Sequence, residues 1–328
     1  MNFNLSRRQA IALTAAALPA MRAGAQGFEQ PKFLYGFPAG SSGDIACRRV
    51  AERVGGSAYA KNPGVVENKP GAGGRIALET LKASPADGSV LALSPFSCTS
   101  IYPHVYKKLS YDPVADLMPV SIAAIMHHGL SVGPMVPDSV KDVRGFVAWL
   151  KANPDKANYG SPAAGSTPHF LAALLGLSQN VEYKHIPYRG SVPGITDVMG
   201  GQIASMFCPA GDPLPNHRAG KLRLLATSGK QRLPFAQDVA TFAEQGFPEL
   251  TTEEWFGFYA PARTPAAVVA SANTAINAAL RDKGLIDGLA VVGLLAQGST
   301  AEEMARSQRA EFERWAPLVK KIGFTADS

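Results

Sequence analysis

Two short stretches hold the residues with chemistry to offer. "PAGSSGD" (38 to 44) and "SPAAGST" (161 to 167) each follow an apolar, strand-like run and open into an amphipathic helix. A helix N-terminus presents unpaired N–H groups and about half a positive charge, so it can take a carboxylate or phosphate without a Lys or Arg. Ser41, Ser42, Ser166 and Thr167 add hydroxyl donors, and Gly40, Gly43 and Gly165 let the backbone come close to a ligand. Ser and Gly are equally at home in any well-capped βα turn, so the pattern alone defines an anion seat without showing that it is used. Asp44 fits two readings: it complements the helix dipole, worth about 0.3–1 kcal/mol, or it orients a water that bridges to a ligand.

Other constellations are weaker. Cys47, Cys98 and Cys208 can form at most one internal disulfide, and their spacing matches no metal site. Three buried thiols is the plain reading. His127 and His128 are adjacent, so in a strand they point to opposite faces and cannot share a metal. His169, just inside the second helix, suits ligand contact or plain surface equally. "GAGGRI" (71 to 76) has Ile where a dinucleotide loop needs its third Gly, and it follows a Pro-Gly turn instead of a strand. No G-x-S-x-G elbow exists. The Glu pairs at 253 and 302 read as solvated charge, so no catalytic carboxylate pair stands out. No cofactor is indicated.

These loops need a scaffold, and the chain supplies an α/β one. Strand-like runs such as "KFLYGF" (32 to 37) and "SVLALS" (89 to 94) alternate with helical ones. In the second unit Thr167 stands at the N-cap, Pro168 at the first helical position, Leu171, Leu174 and Leu175 on the buried stripe, and Gly176 at the stop. A third unit has Ile195, Val198 and Met199 on one helical face, Gly200-Gly201 ending it, and a strand from Ile203 to Phe207. "YDPVADLMPVS" (111 to 121) and "GFPELTTEEWFGFYAPARTP" (246 to 265) carry a strand each and read as two crossovers between domains. A chain that leaves one domain, builds a second and returns gives domain 1 as 26–122 plus 254–328 and domain 2 as 123–253. In open α/β sheets, ligands gather at the carboxyl ends of strands, where both loops fall.

The 328 residues begin with a basic start and an apolar run, Ala10 to Ala20, too short to span a bilayer. With Ala23-Gly24-Ala25 as the cleavage signal, residues 1–25 read as a leader for export to the periplasm, by the Sec or the twin-arginine route suggested by Arg7-Arg8. Removing it lowers the formal charge from +6 to +3. Lys and Arg are scattered, which argues against nucleic acid as a partner.

Taken in order, "FPAGSSGDIACRRVAERV", "VVENKPGAGGRIALE", "ASPADGSVLALS", "YKKLSYDPVADLMPVS", "NYGSPAAGSTPHFLAALL", "HIPYRGSVPGITDVMGGQIASMF", "AGKLRLLATSGKQR" and "WFGFYAPARTP" resemble the Bug family, the extracytoplasmic solute receptors of tripartite tricarboxylate transporters. The resemblance covers the whole chain after the leader. It implies a monomer of two α/β domains, each a mixed sheet flanked by helices, that closes like a flytrap on a small organic carboxylate. Ligand contacts would come from Phe37, Ala39, Gly40, Ser41, Ser42, Gly43 and Asp44 in one loop and Ser161, Ala164, Gly165, Ser166 and Thr167 in the other. Phe96, Ser97 and Tyr188 would border the cleft. One departure matters: where the family commonly ends a strand in an acid that can meet a ligand ammonium, this chain has Cys208. The implied partners are membrane transporter subunits. Two alternatives are a ligand-presenting protein for a membrane sensor, and an exported thiol enzyme using Cys208 or Cys47 with His169 or His185, for which no activating signature is visible.

Overall fold

The computed structural model describes residues 27–326, so the expected leader lies outside the described residues. Two sheets form the frame. The first has the order β11-β4-β10-β3-β1-β2, from β1 (Lys32–Tyr35), β2 (Val65–Asn68), β3 (Val90–Pro95), β4 (Leu117–Met126), β10 (Glu254–Pro261) and β11 (Leu294–Ala296). The second has the order β7-β6-β8-β5-β9, from β5 (His128–Val132), β6 (Asn158–Ser161), β7 (Lys184–Pro187), β8 (Ser205–Pro209) and β9 (Arg223–Thr227). Each is mixed: β1 pairs in parallel with β2 and β3, β6 with β7 and β8, while β10 and β5 run antiparallel to their neighbours.

Helices fill the connections: α1 (Ser42–Arg53), α2 (Arg75–Lys82), α3 (Tyr102–Val105), α4 (Val143–Ala152), α5 (Thr167–Gln179), α6 (Ser191–Met199), α7 (Leu214–Arg218), α8 (Ala266–Ala279), α9 (Lys283–Val291) and α10 (Ala301–Ile322). Ala46, Cys47, Val50 and Ala51 make the buried stripe of α1, at the spacing that faces one side of a helix onto a sheet. The last three helices pack back on the first sheet, and α10 opens with a full capping box between Thr300 and Glu303.

The first sheet keeps its pairing to the end of β4, with Ile125 opposite Trp255 and Met126 opposite Glu254. Two sequence-based helix boundaries shift. The N-cap of α5 is Ser166, one residue before Thr167. Gly176 does not end that helix. Its bare Cα faces Tyr183, whose Cβ would lie 3.1 Å from an added Cβ, and the helix runs on to a left-handed cap at Asn180.

The two units touch along one face. A Cβ on Gly211, in the loop after β8, would fall 1.8 Å from the carbonyl oxygen of Val292 in the first unit. One on Gly190 would meet the Pro38 ring at 2.5 Å. Helix α5 also reaches across, its Phe170 ring 6.0 Å from Trp315 of α10.

Candidate functional site

Between the sheets, at the carboxyl ends of β1 and β6, lies a narrow cleft with about 40 Å³ of unfilled space. That is room for a few waters with the units as they stand. Phe37, Ser41 and Ser42 come to its wall from the first loop, Ser166 from the second, and Ser97 from the turn after β3. Tyr35, Phe256, Met126 and several prolines make the rest largely apolar.

The first loop is held from behind. Asp44 is 2% exposed, and its carboxylate accepts from the Gly40 amide (2.9 Å), Asn68 Nδ2 (2.8 Å) and Arg48 Nε (3.0 Å). Asn68 Nδ2 also donates to the Phe37 carbonyl at 3.1 Å. Asp44 therefore ties the loop to its own helix and to β2. Ser41, the N-cap of α1, spends its hydroxyl on the Pro38 carbonyl at 3.0 Å, leaving the helix amides to other acceptors.

The second loop rests on two stacked imidazoles, His169 and His185, with ring centres 3.9 Å apart. The Gly165 amide donates to His169 Nδ1 at 2.9 Å, so the proton of that ring sits on Nε2. Ser161 Oγ donates to the Ala163 carbonyl at 3.0 Å and lies 2.7 Å from His185 Nε2, which must then be the donor to it. Burial, with the neighbouring His185 adding to it, pulls His169 down to about 2; burial takes His185 down to about 4. Both are neutral at ordinary pH. Ser166 Oγ caps the Ala163 carbonyl at 2.7 Å, and Thr167 Oγ1 is buried without a hydrogen-bond partner.

Other predicted site residues stand behind this wall. Phe96 is in the first unit's core against Trp255, and Tyr188 donates to Asp197 at 2.7 Å. The Ala164 carbonyl accepts from Tyr106 at 3.0 Å. Cys208 is buried beside Gly129 in β8. Ala39, Gly40, Gly43, Gly165 and Thr167 shape the loops without reaching the cleft wall.

Three charged or titratable residues in the cleft escaped the sequence reading: His128, Asp212 and Glu254. Glu254 accepts from the Ser97 amide at 2.9 Å and pairs with His128 Nε2 at 2.8 Å, both side chains 1% exposed. Burial alone would raise that carboxyl; the His128 pair and the Ser97 amide outweigh it and hold it below the usual range. The pair joins the first sheet to the second at the place where both connecting strands run side by side. Glu253 is exposed just before β10 and Glu254 is buried as its first residue, so the solvated-charge reading fits only the first of the two.

Asp212 corrects a second expectation. The start of α1 is not vacant: the Ser42 amide donates to Asp212 Oδ1 at 2.8 Å, across the interface between the units. An acid absent at Cys208 is thus supplied four residues later in the same loop. All three cysteines are free and buried, and burial pushes the Cys47 and Cys208 thiols far up, away from the reactive thiolate.

Two α/β units joined by paired strands, with helix starts converging on a cleft between them, define a two-domain solute-binding protein. Residues 47–324 match the tripartite tricarboxylate transporter family receptor model, and the chain belongs to that family. It is similar to protein BugT of Bordetella pertussis, 31% identical over 88% of this chain and 87% of that one. Among solved structures, one described as R. palustris Rpa4515 with adipate matches with a TM-score of 0.85 at 30% identity, over 90% of this chain and 98% of that one. MatC of Rhodopseudomonas palustris with bound malate matches with a TM-score of 0.82 at 25% identity, over 89% and 99%.

Proposed function

We propose that this protein is a periplasmic receptor that binds a small organic carboxylate between its two units and hands it, unaltered, to a tripartite tricarboxylate-type membrane transporter. The observation that carries this is the meeting of two helix starts, through Ser41-Ser42 and Ser166, on one cleft with no Lys or Arg on its described wall. Partial charges on backbone N–H groups, with serine hydroxyls, are suited to a carboxylate in such a place. Tyr35, Phe37 and Phe256 would pack on its carbon chain. The adipate and malate held by two similar structures support this class of ligand. Binding without chemistry agrees with the buried, protonated thiols and with imidazoles already committed to Ser161 and Gly165. Calorimetric titration with a carboxylate panel that includes malate and adipate tests it. Saturable one-to-one binding is expected; a folded protein that binds none of the panel overturns it.

A further inference from the structure

The cleft contains two buried carboxyl groups, Asp212 and Glu254, and its charges can be counted. Glu254 of β10 is hydrogen-bonded to His128 of β5 and the Ser97 amide, and Asp44 of α1 is paired with Arg48. Tyr35 of β1 and Cys208 of β8 face Asp212 as groups whose ionisation burial opposes. Ser191 of α6 faces it with a hydroxyl, and Ser42 of α1 gives it an amide while its own hydroxyl is buried without a hydrogen-bond partner. What remains to balance an ionised Asp212 is the start of α1, with about half a charge. One carboxylate already exceeds that. A ligand carboxylate entering the same desolvated pocket would bring a second full charge, against which the start of α5 at Ser166 sets only about half a charge more.

We propose that the receptor takes up its carboxylate ligand together with one proton, held by Asp212. Oδ1 remains the acceptor of the Ser42 amide, and Oδ2 carries the proton and donates it to a ligand carboxylate oxygen, as in other buried pairs of acids that share one proton. Asp212 thereby becomes a specificity-determining residue of the site, and the proposal rests on the carboxylate reading above. Burial raises the Asp212 carboxyl, against the lowering effect of its serine partners and His128. The sign follows from linkage: the bound state holds more protons than the free one, so affinity falls as pH rises.

Titration of malate, with adipate in parallel, in buffers of different ionisation enthalpy at pH 6 and pH 8 tests this. Proton uptake approaching one per ligand is expected at the higher pH, with Kd weakening by up to about tenfold per pH unit. Asp212→Asn, whose amide donates at every pH, should bind without uptake and without that pH dependence, while Asp155→Asn, at an exposed position away from the cleft, should keep both. Malate binding with no uptake by the unaltered receptor, or uptake that survives in Asp212→Asn, overturns the assignment to Asp212 and leaves the carboxylate reading standing. Absence of any binding by folded protein overturns both. Should Asp212→Asn fail to fold, the uptake measured on the unaltered receptor decides.

Discussion

At the scale of single residues, an anion site without a cation depends on what fixes the backbone. Asp44 does this for the first loop, and it does so from outside the cleft. Its carboxylate satisfies the Gly40 amide, Asn68 and Arg48 at once, so removing it takes the acceptor from three donors, of which Gly40 is exposed and Arg48 half-exposed. Hydrogen bonds to charged groups contribute about 1.5–3 kcal/mol each when one partner is deleted, though not additively. Asp44→Ala is accordingly expected to lower stability by roughly 2 kcal/mol or more in denaturant unfolding, and to weaken carboxylate binding with it. Asp44→Asn should cost less, because its amide oxygen still accepts from Gly40.

At the scale of elements, the start of α5 is set by neutral histidines, which gives the second loop a pH signature. The folded His169 holds its proton only near pH 2, against 6.5 for the free side chain, so the folded state refuses a proton that the unfolded chain takes. Its contribution is complete above pH 6.5 and is lost progressively as pH falls below that value. His169→Phe removes the acceptor of the Gly165 amide, a loss of about 1–3 kcal/mol at pH 7. Thermal melts should show that deficit shrinking between pH 7 and pH 5, because the variant has no imidazole to protonate.

The elements were also the most legible part of the sequence. Leu171, Leu174 and Leu175 on α5, and Ile195 and Val198 on α6, lie on buried faces, as their spacing requires. Both anion-seat loops were visible because Gly and Ser before a helix start is a local signal. Asp212, Glu254 and His128 were not visible, because they meet only through long-range packing: Asp212 comes to Ser42 across 170 residues of chain and Glu254 to His128 across 126. Glu254 follows the exposed Glu253, and Asp212 lies four positions beyond Cys208, past the strand end.

For the whole molecule, the two units are in contact, and Gly211 lies against the Val292 carbonyl. An added Cβ would sit 1.8 Å from the Val292 carbonyl oxygen, which is backbone and cannot swing away. Gly211 has no positive φ, so an Ala there is strained only by closure. Overpacking of this kind costs about 1–3 kcal/mol, so Gly211→Ala should weaken ligand binding by about tenfold or more while leaving each unit folded. Small-angle scattering should show the variant more extended at saturating ligand than the unaltered receptor. Equal affinity and equal dimensions would mean that the units do not close at this contact.

The central claim is that two helix starts from different units grip one carboxylate. Malate titrated into 15N-labelled receptor addresses it directly, through the amide signals of Gly40 to Gly43 and of Gly165, Ser166 and Thr167. Both sets should shift together, with one midpoint. Saturation that moves only one set, or neither, would contradict the claim.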